Sequence, residues 1–341
     1  METIKSHPHF NGRSLAPTAI VIFLLTVFVL LLGKVGDGHA SDNETSQIYI
    51  PFVHSNSRLA PVPKLIASIP LEGARCPNDM TYNRFSGLLY IANEESNNVS
   101  IIKDQSLIGN VPTGKWPIHV EADPDSDRVY LSQVWDDIKL FKGGEITDSI
   151  PGYGEPYTIT VNPVNGYTYV TDLHRPINII RGNEKIMNLF VPDFNGQVIG
   201  WQLADDYDQF TGLTYFASWQ HEAMTVVDGT KVVAQFSFGG LGASDMVVDS
   251  QRGLIVVANN LAFYDSKSPN NLSVVNIGNQ DVTSIYSAKY SYRVALDPTT
   301  GYVYATNPED NSVTVLQGTR EVATYLSGKK PREVDVDSMT G

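Results

Sequence analysis

Tryptophan and histidine are the chemically versatile side chains of this sequence, and both are scarce: four Trp and seven His in 341 residues. Trp116 and His119 lie in Lys115-Trp116-Pro117-Ile118-His119, and Trp135 precedes Asp136-Asp137. His174-Arg175, Trp201 and Trp219-Gln220-His221-Glu222 complete the set. An indole offers a flat apolar platform with one N–H donor. An imidazole exchanges protons near neutral pH or ligates metals. With Arg175 and Glu222 alongside, such a set suits a ligand with an apolar face and polar edges: a glycan, a peptide or protein, or a small molecule. His119, His174, His221 and Glu222 are also the ligand types of zinc or copper. They lack the short fixed spacings of metal motifs, so neither a metal nor another cofactor is assigned. Catalytic residues remain unknown, because a nucleophile–base arrangement is recognised by geometry and not by order along the chain.

Other motifs carry less. Asp123-Pro124-Asp125-Ser126-Asp127 alternates acids as a calcium loop does, but lacks the glycine and terminal glutamate of one and reads as a solvated turn. Asp205-Asp206-Tyr207-Asp208 takes the same reading. Cys76 is the single cysteine, so no disulfide forms within the chain, and its place beside Pro77 suggests packing.

The elements that must position these residues come from an internal repeat. Gly87-Leu-Leu-Tyr90-Ile-Ala-Asn93, Asp127-Arg-Val-Tyr130-Leu-Ser132 and Gly166-Tyr-Thr-Tyr169-Val-Thr-Asp172 share one pattern. It continues at Gly212-Leu-Thr-Tyr215-Phe-Ala217, Gly253-Leu-Ile-Val256-Val-Ala-Asn259 and Gly301-Tyr-Val-Tyr304-Ala-Thr-Asn307. The turn position recurs at 87, 127, 166, 212, 253, 301 and 341, a period of 39 to 48 residues. Each unit reads as four short alternating strands, the blade of a β-propeller. In the last full unit they fall at 293–296, 302–305, 312–316 and 321–326. The fold class is therefore all-β. In this register Trp116, His119, Trp135, His174, Arg175, Trp201, Trp219, His221 and Glu222 all fall on one face of blades two to four.

Tyr169-Val-Thr-Asp172 and Tyr304-Ala-Thr-Asn307, with Asn311-Ser-Val-Thr-Val315, resemble the YVTN family of propeller repeats. The resemblance spans residues 64–341 and implies a fold without implying a common chemistry. Residues 64–71 look like a fourth strand without its first three, and residues 333–341 like a first strand without its successors. The expectation is a seven-bladed ring with six full blades and a C-terminally truncated seventh that lacks its middle strands. A six-bladed ring is the alternative.

Upstream of the repeats, Lys5 and Arg13 precede an apolar run at 19–32, and Gly38-His39-Ala40 offers small residues for cleavage before Ser41. Residues 1–40 thus read as a signal peptide or N-terminal transmembrane anchor, and residues 41–63 as a polar, Pro-rich tether. The folded part is expected outside the cytoplasm, secreted, periplasmic or anchored, with membrane contact only through an uncleaved N-terminal segment. A net charge of −13 disfavours nucleic-acid binding. The functional expectation is an exported, non-catalytic binding or interaction module. A propeller hydrolase or lyase using the same His-rich face is the alternative.

Overall fold

The computed structural model describes residues 26–32, 46–53, 64–151, 154–173, 176–192, 202–260, 272–286, 291–327 and 330–336. His174, Arg175 and Trp201 lie outside them. Every regular element among the described residues is a strand, and none is a helix long and apolar enough to cross a membrane. Six four-stranded antiparallel blades follow one another along the chain and form a β-propeller. Blade one consists of Pro77–Asn83, Leu88–Asn93, Asn98–Lys103 and Ser106–Pro112. The innermost strands of blades two to six are Pro117–Ala122, Pro156–Asn162, Gln202–Tyr207, Ala243–Asp249 and Val294–Leu296.

The repeat signature has a local physical cause. In each of these six blades the innermost strand ends in, or is followed directly by, an Asn or Asp whose side-chain oxygen accepts backbone N–H groups of the turn that follows, a geometry these short side chains favour. Asn83 takes Phe85 and Ser86, Asn162 takes Val164 and Asn165, and Asp208 takes Phe210. Asp123, Asp249 and Asp297 do the same in the other blades. The turn closes on a positive-φ glycine at Gly87, Gly166, Gly212, Gly253 and Gly301. The second strand then carries the repeat tyrosine into the core, where Tyr90, Tyr130, Tyr169, Tyr215 and Tyr304 are all buried. These rings join blades: Tyr90 meets Phe141 edge-on at 5.7 Å and its hydroxyl accepts the Gly144 N–H. Tyr169 meets Phe216 at 5.6 Å and donates to the Gly229 carbonyl.

A seventh sheet closes the circle. Its innermost strand, Pro331–Val336, packs beside that of blade one, and the Arg332 guanidinium donates to Asn78 Oδ1 at 3.0 Å. The outermost strand is Lys64–Leu71, in keeping with the fourth-strand pattern of those residues. The middle strands, however, are present. Thr26–Leu32 pairs with Pro331–Val336 on one side and with Ser46–Val53 on the other, and Ser46–Val53 pairs with Lys64–Leu71. The expectation of a blade without middle strands is corrected accordingly. The sequence reading gave residues 26–32 to an export segment and residues 46–53 to a tether, but β-branched and aromatic runs of this length also form strands. The described part of the apolar run, Thr26–Leu32, is strand.

Candidate functional site

The innermost strands surround a central channel, and their polar side chains link each blade to the next. Asp79 Oδ2 accepts the Val120 N–H at 2.7 Å, and the Thr81 hydroxyl accepts that of Ala122. Asp206 and Asp245 take the Val248 and Val294 N–H groups at 2.6 and 2.8 Å. Asp205 turns the other way and accepts the Thr158 and Thr160 hydroxyls of blade three. Arg293 is the buried cation of the ring; its Nε donates to Glu333 at 3.0 Å and its Nη1 to the Ser244 carbonyl at 2.6 Å. Carboxylates therefore accept backbone N–H groups between blades one and two, four and five, and five and six, and side-chain donors between blades three and four and between blade six and the Glu333 strand; between blades two and three the Ser132 hydroxyl donates to the Tyr157 carbonyl.

Concentrating acids in this way shifts their titration. Burial, with Asp245 and Asp205 nearby, pushes Asp206 up to about 7 despite two backbone N–H bonds. Burial likewise raises Asp245 and Asp205, against Arg293 in the first case and the Thr158 and Thr160 hydroxyls in the second. Glu121 is raised well above the carboxylate range by burial and by Asp79, Asp335, Asp206 and Asp205. Glu333 is raised by burial and Asp79, in spite of its Arg293 partner. A cavity of about 370 Å³ extends from these strands towards the turns at Gln209, Ser250 and Pro298. Among the described residues, no three His, Cys, Asp or Glu side chains stand in metal-ligating geometry.

Asp205 and Asp206 require a correction. They are not part of a solvated turn: the innermost strand of blade four runs through Tyr207, and the turn begins at Asp208. A strand that lines a wet channel carries polar residues and so looks like a loop in sequence. The channel acids Asp79, Glu121, Asp245 and Glu333, with Arg293, were not singled out for the same reason.

The residues expected on the ligand face separate into three places. His119 enters the channel wall, with Nε2 3.6 Å from Asp79 Oδ2. Trp219 is half-buried on the second turn of blade four and donates from Nε1 to Asn260 Oδ1 at 2.9 Å, binding blade four to blade five. Beside it the His221 N–H donates to Ser218, and the exposed Glu222 accepts from the Ser237 hydroxyl.

Trp116 and Trp135 form the third group, on the rim of blade two. They are 49% and 66% exposed. Their backbones are joined, because the Val134 N–H donates to the Trp116 carbonyl at 3.2 Å. The Gln133 side chain ties the same two segments together, accepting from the Gly114 N–H and donating to the Asp137 carbonyl. A Cβ at Gly114 would run into the Asp136 carboxylate and the Gln133 amide, so those side chains would have to move. Trp116 has φ +50°, as do Cys76 and Lys330 at 53° and 50° before Pro77 and Pro331, so its backbone belongs to the blade entrance. Trp135 differs. Its φ of 61° is a left-handed conformation unfavourable to a bulky side chain, whereas the left-handed residues of the corresponding turns in blades one and six, two positions further along, are Asn97 and Asn311. Cys76 is half-buried at its strand entrance, and burial raises its thiol.

No family model matches the chain, and no curated protein matches it. Among solved structures, a "putative 6-phosphogluconolactonase" of Bacteroides uniformis is similar with a TM-score of 0.68 and 14% identity, covering 92% of this chain and 99% of that one. A protein of the same description from Bacteroides fragilis gives 0.67 and 14%, over 92% and 97%. The hydrazine synthase of Kuenenia stuttgartiensis gives 0.50 and 14%, over 90% and 94%. At this identity the likeness is one of fold.

Proposed function

We propose that this protein is an exported, non-catalytic binding module, a propeller of the YVTN type, whose ligand face is the rim of blades two to four centred on Trp116 and Trp135. The observation that carries the reading is the exposure of two indoles on backbone segments locked together by Gln133 and Gly114. Large aromatic area left in water on a rigid support is the composition of a recognition surface rather than of a core. The placement of His119 and His221 in different surroundings supports binding over acid–base catalysis. The export reading rests on the basic residues, apolar run and small residues of the N-terminal segment.

The test replaces Trp116 and Trp135 singly by Ala and measures urea stability together with capture on an array of glycans and peptides. Near-native stability with lost capture supports the ligand face. A loss of about 3 kcal/mol or more in both variants would mark core packing instead. Sequencing the N terminus of the mature protein from an expressing bacterium tests export: a chain starting at Ser41 has been cleaved, whereas an intact chain keeps residues 26–32 for the closing sheet.

A further inference from the structure

We infer that the closing sheet is a strand-binding site: the slot between Pro331–Val336 and Ser46–Val53 holds Thr26–Leu32 without needing the covalent connection to it, and takes that strand back when the connection is cut. The slot is independent of the ligand face; only the cut that would free the strand in the cell rests on the export reading above.

Thr26–Leu32 is an interior strand, so its partners lie on both sides. Leu30 stands opposite Val334 and Tyr49, and Leu31 opposite Glu333 and Ile48. Strand addition at a single sheet edge already binds extended peptides through main-chain hydrogen bonds. A slot offers two such edges. Its walls are held by contacts in which Thr26–Leu32 takes no part. On the inner wall, Val334 and Val336 are buried with Tyr304, Val313 and Val315 of blade six. The Arg293 bond to Glu333 and the Arg332 bond to Asn78 Oδ1, each 3.0 Å, tie the same strand to blades six and one. On the outer wall, Ser46–Val53 pairs with Lys64–Leu71, whose Ile69 and Leu71 are buried with Met80, Leu89 and Ile91 of blade one. Removing the middle strand therefore leaves two walls, each anchored on a different blade and each presenting unpaired N–H and C=O groups.

The sequence supplies a reason for a cut at this place. Residues 26–32 belong to the apolar run that reads as an export segment, and Gly38-His39-Ala40 lies between the two middle strands. Cleavage before Ser41 severs Thr26–Leu32 from Ser46–Val53, and a separate peptide must then complete the sheet. The ligand that fits is an extended segment of β-branched, aromatic and long apolar residues without proline. Thr-Val-Phe-Val-Leu-Leu-Leu at 26–32 is the one this chain carries.

The test uses the full chain with a specific protease site inserted after Ala40, folded and then cut. Size exclusion in native buffer should carry the N-terminal fragment with the propeller, and urea should separate the two. The melting temperature of the cut complex should fall on dilution, as for any non-covalent pair, while that of the uncut chain should not. A fluorescent peptide of residues 24–34 should exchange into the cut protein. Leu30→Pro in that peptide, which removes an N–H from the middle of the strand, should weaken uptake at least about tenfold. Separation of fragment from propeller in native buffer overturns the inference, whether the propeller then melts as before or aggregates. Equal uptake of the native and Leu30→Pro peptides also overturns it, since that marks apolar adhesion in place of strand pairing. An unprocessed N terminus in the expressing bacterium would remove the export reading and leave these results as they stand.

Discussion

Trp135 and Trp219 occupy corresponding turns of blades two and four, and their sequences make them look alike. Their surroundings do not. Trp219 is half-buried with its indole N–H on Asn260, while Trp135 stands in water on a left-handed backbone. Sequence position placed both on one face, but burial is decided by the neighbouring blade, some forty residues away, and no local pattern reveals it. Opposite outcomes follow. Trp135→Asn, which tolerates positive φ, should raise the urea midpoint by the equivalent of about 0.5–1 kcal/mol while abolishing ligand capture. Trp219→Phe, which removes the N–H donor together with part of the half-buried ring, should lower stability by about 1–3 kcal/mol. Chemical denaturation of the two variants side by side measures both, and a Trp135→Asn protein less stable than wild type would make Trp135 a packing residue.

At the level of strands and turns, the second strand of each blade was the most legible element, because its tyrosine must be buried and the Asx turn before it needs Asn or Asp and usually Gly. The innermost strands were the least legible. Their alternate positions bond to a neighbouring blade or face the channel, so Asp205 and Asp206 sit where a core residue is expected. The middle strands of the closing sheet were missed for another reason: Thr26–Leu32 pairs with a strand about 300 residues away in sequence, beyond any local pattern, and Ser46–Val53 packs onto it. Asn162 shows how much one turn residue carries. It accepts from Val164 and Asn165 while its amide donates to the Gly212 carbonyl and Thr214 hydroxyl of blade four, both at 2.9 Å. Asn162→Ala should destabilise by about 2–3 kcal/mol. Asn162→Asp, which keeps the acceptor and loses both donors, should also be destabilising. Equilibrium unfolding of the pair separates the turn from the contact between blades.

For the molecule as a whole, the channel acids set a pH dependence of definite sign. Asp206, Asp245, Glu121 and Glu333 all have folded-state affinities for protons above those of ordinary carboxylates. The folded protein therefore binds protons that the unfolded chain releases. For Asp206 and Asp245 the stabilisation is complete below the ordinary carboxylate range, about pH 4, and is lost as pH rises towards 7, by about 1.4 kcal/mol per unit for each fully titrating group. The urea midpoint should be higher at pH 5 than at pH 7.5. Asp206→Asn, which retains an acceptor for Val248, should flatten that slope and raise stability at pH 7.5 more than at pH 5. An unchanged slope in the variant would show that Asp206 does not titrate in this interval.

The bond between Arg332 and Asn78 spans 254 residues. Contacts of such separation form late, because loop closure must precede them. During synthesis the six blades emerge in order, so an arc can assemble while the segment that joins its ends is still absent. Until Pro331–Val336 docks, the flank of blade one is open and the channel acids lack one wall. The final folding step is thus a clasp rather than a collapse, and a chain halted before residue 331 would present its unsealed edge to other chains.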